Sequence, residues 1–133
     1  MLHLEEMLVC NRVYNMKARN RKIFINHLEL MASIGVYELE KKNKQKITIN
    51  IEILMTNDSE PKSDNLQETQ DYSQFRKLAK DIVDSQHFEL LEILTNKIHS
   101  SINNNKFVFG SKVNICKPNI FDDCEVAYEL SNI

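Results

Sequence analysis

The chain has 133 residues, a length typical of one domain with its own hydrophobic core. Apolar residues make up 42% and charged residues 27%, which excludes a wholly disordered chain. The chain has no apolar run of about 18 residues, so we expect no membrane-spanning segment. The net charge of −2 lacks the basic excess of dedicated nucleic-acid binders, so no nucleic-acid partner is expected either.

Residues 1–22 differ in charge from the rest of the chain. They carry five basic and two acidic side chains, a net charge of +3, whereas residues 23–133 carry 12 basic and 17 acidic side chains, a net charge of −5. The segment has neither the apolar stretch nor the cleavage site of a secretory signal. We expect residues 1–22 to form a peripheral or disordered extension, and residues 23–133 to form a single domain.

Two strands are predicted first, at Ile23–Ala32 and Lys46–Met55. In the second, four isoleucines alternate with other residues, the period of a strand with one buried face. Gly35 lies between the two strands and supplies a residue free of φ restrictions. Residues 57–70 are polar and contain a proline, which predicts a loop.

Two helices are predicted next. Between Phe75 and Val83 apolar side chains recur at i, i+3, i+4, i+7 and i+8, which indicates a helix that begins near Asp71. A second helix is predicted from about Glu89 to Ile102, where a run of asparagines ends it.

Two further strands are predicted at Lys106–Lys117 and Cys124–Leu130. The order β-β-α-α-β-β predicts an α+β fold, a four-stranded antiparallel sheet made of two hairpins with two helices on one face. The outer strands would have unpaired backbone groups, which favour pairing with another subunit, and rings of subunits are one natural result.

The common cofactor and catalytic motifs are missing from the sequence. Two glycines are too few for a P-loop or a dinucleotide fingerprint, and no GxSxG occurs. The histidines lack the i, i+4 spacing of metal ligands, being scattered at His3, His27, His87 and His99. Three cysteines cannot all pair within one chain, which indicates reduced thiols in a cytoplasmic protein. Cys116 and Cys124 fall in strand patterns and are expected to be inert thiols in or near the core.

Four short segments carry chemically useful side chains, and each has an ordinary explanation when taken singly. A charged loop, a helix start, a solvent-facing carboxylate and a strand-end lysine would account for them. Their order and spacing together resemble the dihydroneopterin aldolase family of folate biosynthesis, from Ile23 to Leu130. The matching motifs, as they stand here, are Ile34-Gly35-Val36-Tyr37-Glu38-Leu39-Glu40, Gln45-Lys46, Ser63-Asp64-Asn65, Asp71-Tyr72, Phe88-Glu89-Leu90-Leu91-Glu92 and Lys117-Pro118.

The resemblance implies the tunnelling fold, in which rings of four subunits stack into homo-octamers with active sites between subunits. It implies a lyase that cleaves 7,8-dihydroneopterin by a retro-aldol reaction to 6-hydroxymethyl-7,8-dihydropterin and glycolaldehyde. Family members commonly also epimerise the side chain to dihydromonapterin. The resemblance implies neither a metal, nor a Schiff base, nor any other cofactor.

The resemblance also implies roles for five residues. Glu92 matches the pterin anchor, because a carboxylate can accept both parallel hydrogen bonds from the 2-amino group and N3–H of a pterin. Leu91 matches a residue that offers a backbone contact to the substrate. Lys117 resembles the acid/base lysine, Tyr72 matches a tyrosine supplied by the neighbouring subunit, and Glu40 matches a loop carboxylate that contacts the substrate. Because Glu92 follows two leucines, its carboxylate is expected to be partly desolvated.

Two positions depart from the family pattern, and two other functions stay open. Asn119 and Glu125 stand where the family commonly has glycine; asparagine can adopt the left-handed conformation, so the turn after Lys117 is expected to survive. One alternative is a dihydroneopterin triphosphate epimerase, whose substrate would favour a basic site mouth such as the lysines of residues 41–46. The other is a non-catalytic pterin-binding oligomer.

Overall fold

A computed structural model describes residues 19–133 of the chain. The prediction of a peripheral or disordered extension concerns residues 1–22, of which residues 1–18 lie outside the described residues. Within the described part the first strand already begins at Arg21, two residues before the predicted start. No helix among residues 19–133 is long and apolar enough to cross a membrane.

The core of the fold is one four-stranded antiparallel sheet, as predicted. Its strands lie in the order of the chain and each pairs with the next, so that the first and last strands form the edges. They are β1 (Arg21–Ala32), β2 (Gln45–Met55), β3 (Val108–Lys117) and β4 (Val126–Ser131).

The alternation of β2 determines which face of the sheet is covered. Ile47, Ile49, Ile51 and Ile53 are each at most 1% exposed, whereas Asn50 on the opposite face is exposed. Burying an isoleucine side chain contributes roughly 1.5–3 kcal/mol, so a strand with four of them strongly specifies its orientation.

Residues 19–133 contain three α-helices: α1 (Glu38–Lys42), α2 (Ser73–Ser85) and α3 (Leu91–Asn103). The two long helices were predicted, and their apolar stripes pack in one core with the isoleucines of β2. The α2 helix begins at Ser73, whose N–H donates a 2.9 Å hydrogen bond to the Asp71 carboxylate. The short α1 helix was not predicted, and residues 57–70 contain two 3₁₀ turns within the predicted loop.

Leu94→Ala should destabilise this core strongly. Leu94 is fully buried on α3, and removing its side-chain atoms forfeits burial and leaves a cavity, a loss of about 2–5 kcal/mol in the free energy of unfolding. Urea denaturation at one fixed protein concentration measures it. The control Asn96→Ala alters an exposed position of the same helix and should change stability by no more than about 0.5 kcal/mol. Equal denaturation midpoints for the two variants would contradict the packing of Leu94 in the core.

Candidate active site

A cleft of about 310 Å³ opens between the ends of the two hairpins. Its walls come from three separate parts of the chain: residues 35–40 after β1, residues 89–92 at the start of α3, and residues 117–128 from β3 to β4. Four of the five predicted site residues line this cleft, namely Glu40, Leu91, Glu92 and Lys117. The fifth, Tyr72, does not line it within the same chain.

The most distinctive feature of the cleft is an ion pair between Lys117 and Glu40. Lys117 Nζ donates a 2.9 Å hydrogen bond to Glu40 Oε2, and the side chains are only 12% and 11% exposed. Gln45 Nε2 donates to the same oxygen at 3.0 Å, and the Tyr37 N–H donates to Oε1 at 3.3 Å. Three donors therefore hold the carboxylate in one position, and it holds the lysine ammonium in turn.

Local backbone structure brings Glu40 to this position. The α1 helix turns residue 40 back toward the end of β1, where Gly35 has a φ of 127°. A Cβ atom at Gly35 would overlap the Glu40 carboxylate, so a glycine is required both for the backbone conformation and for the space. Gln45 also donates a 2.8 Å hydrogen bond to the Ile34 carbonyl, which ties the start of β2 to the same turn.

The environment of Glu40 keeps its carboxylate ionised. Burial by itself raises the pKa of Glu40, but the hydrogen bonds from Lys117, Gln45 and the Tyr37 N–H, together with the charge of Lys117, outweigh burial. The net result is a pKa below the ordinary value of 4.5. Glu40 is therefore an acceptor for cations and N–H donors rather than a proton donor near neutral pH.

This lowered pKa predicts a loss of stability in acid. Because the pKa of Glu40 is lower in the folded chain than in the unfolded one, its stabilisation is fully present above pH 4.5 and is lost as the pH falls through the lowered value. Urea midpoints at a series of pH values should fall less steeply with acid for Glu40→Gln than for the wild type. Glu38→Gln, an exposed change on the same helix, is the control, and identical pH profiles for all three proteins would refute the assignment.

Leu91 and Glu92 lie side by side in the first turn of α3. Leu91 is 7% exposed, whereas Glu92 is exposed, so the predicted desolvation of this carboxylate is not found in the single chain. A carboxylate at this end of a helix is stabilised by the helix dipole. Its oxygens are accessible to a ligand in the cleft.

Comparisons with known proteins give the family. A family profile described as dihydroneopterin aldolase (FolB) matches residues 23–130. The chain belongs to the dihydroneopterin aldolase family. This confirms the resemblance inferred from the motifs, over the same range of residues.

The chain is also similar in sequence and in structure to individual members of this family. A dihydroneopterin aldolase from Haemophilus influenzae is 26% identical over 97 residues, which make up 73% of this chain and 82% of the relative. The crystal structure of the Burkholderia thailendensis enzyme bound to guanine is 25% identical with a TM-score of 0.77, covering 86% of this chain and 91% of that one. The Escherichia coli enzyme in complex with neopterin, at 22% identity, shares the fold with a TM-score of 0.74 and covers 85% of this chain and 99% of its own.

The lysines of residues 41–46 do not form a basic mouth to this cleft. Lys41 Nζ lies 3.8 Å from the carboxylates of Glu38 and Glu89, and Lys46 Nζ lies 4.0 Å from that of Glu29. None of the four lysines lines the cleft. Among residues 19–133, the charged side chains that do so are three carboxylates and one ammonium, at Glu40, Glu89, Glu92 and Lys117.

The two departures from the family motifs lie beside the cleft. Pro118 and Asn119 form a turn without left-handed backbone, since His27 is the only non-glycine residue of the described chain with a positive φ. Glu125 is exposed, and its carboxylate lies 3.7 Å from the Cys116 sulfur. The pKa of the Cys116 thiol is raised mainly by burial and secondly by the negative charge of Glu125. Cys124 is exposed, so its predicted position near the core is wrong.

Several residues that line the cleft were given no role from the sequence. Phe121 is 56% exposed at its edge, and Glu89 and Ile120 also belong to its walls. Glu89 is itself a motif position, and the other two lie within three residues of Pro118, so adjacency to the motifs was the available signal. His87 directly precedes the motif that begins at Phe88, but the sequence did not indicate which groups its ring contacts; in the structure it lies behind the wall and is hydrogen-bonded to Ser33 and Gly35.

Proposed function

We propose that the protein is a lyase that cleaves 7,8-dihydroneopterin by a retro-aldol reaction. The products are 6-hydroxymethyl-7,8-dihydropterin and glycolaldehyde, and the reaction uses neither a metal nor a Schiff base. The observation that supports this most directly is the nearly buried Glu40–Lys117 pair, which shares one cleft with Leu91 and Glu92. Family membership supports the same reaction.

Glu92 is proposed to anchor the pterin ring. A pterin presents its 2-amino group and N3–H as two parallel donors, and one carboxylate can accept both hydrogen bonds. Guanine presents the same pair of donors, and the relative from Burkholderia thailendensis is described as bound to guanine. Leu91, the buried neighbour of Glu92, is proposed to contribute a backbone contact to the same ring.

The Lys117–Glu40 pair is proposed to move the protons. In the cleavage, a base takes the proton of the C2′ hydroxyl, the C1′–C2′ bond breaks and glycolaldehyde leaves. The electron pair passes into the protonated imine of the pterin, and an acid then supplies a proton to C1′. Lys117 is proposed as the acid/base group, while Glu40 orients it and contacts the substrate. Epimerisation to dihydromonapterin would follow if glycolaldehyde, before it diffuses out of the cleft, re-added to C1′ through the opposite face of its aldehyde carbonyl.

The charges of the cleft favour an unphosphorylated substrate. Among residues 19–133, three of the four charged side chains that line the cleft are carboxylates, and the ammonium, that of Lys117, is already paired with one of them. A triphosphate would be repelled by this arrangement, because like charges at close range disfavour binding. We therefore propose free dihydroneopterin rather than its triphosphate.

A ring-shaped homo-oligomer is proposed to complete the site. Strands β1 and β4 are the edges of the sheet, and no other strand within residues 19–133 pairs with their outer backbone groups, which could therefore pair with another copy. Tyr72 is 68% exposed at the start of α2 and away from the cleft, which fits the prediction that a neighbouring subunit supplies it as a proton donor. Tetrameric rings that stack into an octamer, and a cytoplasmic location, stay predictions of the resemblance.

Mixed oligomers test the contribution of Tyr72. Lys117→Ala and Tyr72→Phe subunits should each be poorly active, but unfolding and refolding them together should restore part of the activity. Such a mixture contains sites with Lys117 from one subunit and Tyr72 from its neighbour. If both residues acted from the same subunit, mixing would restore nothing. Sedimentation of the same samples reports the oligomer size.

A product assay tests the reaction itself. Purified protein is incubated with 7,8-dihydroneopterin, the mixture is oxidised, and the pterins are separated with fluorescence detection. We expect 6-hydroxymethylpterin and glycolaldehyde. Monapterin alone would instead indicate an epimerase and call for the triphosphate substrate. Binding without any product from either substrate would leave the non-catalytic pterin-binding oligomer.

A further inference from the structure

The two segments that lead to opposite walls of the cleft are joined behind it. One is Ser33–Gly35, which continues into α1 and Glu40, and the other is His87–Phe88, which continues into Leu91 and Glu92. The Phe88 N–H donates to the Ser33 carbonyl at 3.1 Å, and the Gly35 N–H donates to the Phe88 carbonyl at 2.9 Å. These bonds form an isolated parallel bridge between Ile34 and Phe88, both of which are buried.

The His87 side chain adds two more hydrogen bonds between the same segments. Its Nε2 lies 2.9 Å from the Gly35 carbonyl oxygen, and its Nδ1 lies 2.6 Å from Ser33 Oγ. A carbonyl oxygen can only accept, so Nε2 carries the hydrogen and donates it. In the neutral ring Nδ1 then accepts from the Ser33 hydroxyl, and both ring nitrogens are engaged. We call the four bonded residues Ser33, Gly35, His87 and Phe88 the clamp.

Movement of the clamp would be transmitted to the Glu40–Lys117 pair. Gly35 touches the Glu40 carboxylate so closely that no Cβ fits between them. The carbonyl of Ile34, within the clamped segment, accepts from the Gln45 side chain that also donates to Glu40. The position of Glu40, and through it that of Lys117, therefore depends on how the segment after β1 is held.

We propose that His87 is a positioning residue that sets the distance between the wall formed by residues 89–92, called the Glu92 wall, and the Glu40–Lys117 pair. This inference rests on the proposed function, in which Glu92 holds the ring while Lys117 acts on the side chain of the same substrate. His87 touches neither group and acts through Gly35. Proton transfer requires the two walls to be in register, whereas binding of the ring requires the Glu92 wall alone.

The test separates turnover from ring binding. Since a misplacement of about 1 Å can cost on the order of 10²-fold in rate, we expect His87→Ala to lower kcat by about 10–100-fold. The dissociation constant for guanine, a probe that carries only the ring edge, should change little. His87→Gln should recover part of the loss, because its amide can still donate to the Gly35 carbonyl.

His99, toward the other end of the α3 helix, provides a matched control. His99 lies on α3, is also half-buried and also approaches a backbone carbonyl, with Nε2 3.1 Å from the Ser111 oxygen, but it does not line or brace the cleft. His99→Ala should lower thermal stability and leave kcat unchanged. Equal kcat values for His87→Ala and the wild type, both folded at the assay temperature, would overturn the proposal.

Hydrogen exchange provides a readout that is independent of catalysis. Loss of the imidazole should accelerate exchange of the Gly35 and Phe88 amides, whereas His99→Ala should leave them protected. Unchanged protection in His87→Ala would also overturn the proposal. If the wild type forms no product, the proposed function fails, and the exchange measurement then decides on the clamp by itself.

Discussion

Lys117→Ala is expected to lower kcat for dihydroneopterin cleavage by about 10²–10⁴-fold, the usual contribution of a positioned acid/base group. The side chain is 12% exposed and its ammonium is the only one that faces the cleft among residues 19–133. Water could enter the space left by the side chain, but it would not supply an ammonium held by Glu40. Affinity for guanine should be largely retained, since the ring is proposed to contact Glu92 on the other wall.

Two further variants make this expectation specific. Lys112 lies on the same strand and forms its own, more exposed ion pair, with Nζ 3.4 Å from Glu52, so Lys112→Ala should lose an ion pair of this strand without losing turnover. Lys117→Met keeps most of the apolar stem and separates the loss of the ammonium from a loss of packing. If Lys117→Met turned over substrate as fast as the wild type, Lys117 would not be the acid/base group. The measurement is steady-state kinetics with product identification.

Glu92→Gln is expected to weaken pterin and guanine binding by about 10²-fold. A hydrogen bond to a charged group contributes about 1.5–3 kcal/mol, and each 1.4 kcal/mol corresponds to about tenfold in affinity. The glutamine amide keeps one acceptor, but its NH₂ group would face a donor of the ring. The variant should keep its stability, because Glu92 is exposed in the single chain.

Calorimetric titration with guanine measures this loss, and Glu89→Gln is the matched control. Glu89 also lines the cleft and also carries a carboxylate, but it lies 3.8 Å from Lys41 and has no proposed contact with the ring. Its variant should bind guanine with nearly wild-type affinity. If both variants lost affinity equally, the effect would come from the general charge of the cleft and not from a two-point anchor.

Secondary structure followed from local patterns wherever one face is buried. The alternating isoleucines of β2 and the apolar stripe from Phe75 to Val83 were each enough to predict the element, and the structure buries them as expected. The five-residue α1 helix was missed because Leu39, the one apolar residue of Glu38–Lys42, is 75% exposed, so the helix carries no apolar period. Strand and helix ends shifted by one or two residues, since hydrogen bonds at the ends, such as that from Ser73 to Asp71, decide them.

The order and spacing of short motifs determined the family and pointed to Glu40, Leu91, Glu92 and Lys117. They did not determine how these residues meet. Glu40 and Lys117 are 77 residues apart in the chain, and their hydrogen bond depends on the register of β2 with β3 and on the turn at Gly35.

What the sequence by itself determined, then, is the set of elements, the buried face of each and the family. The tertiary structure alone decided the Glu40–Lys117 ion pair, the acidic lining of the cleft and the clamp at His87. The physical reason is that hydrophobic periodicity is a property of neighbouring residues and reports which side of an element is buried. A hydrogen bond between distant residues depends instead on backbone positions that are set only when all the elements pack together.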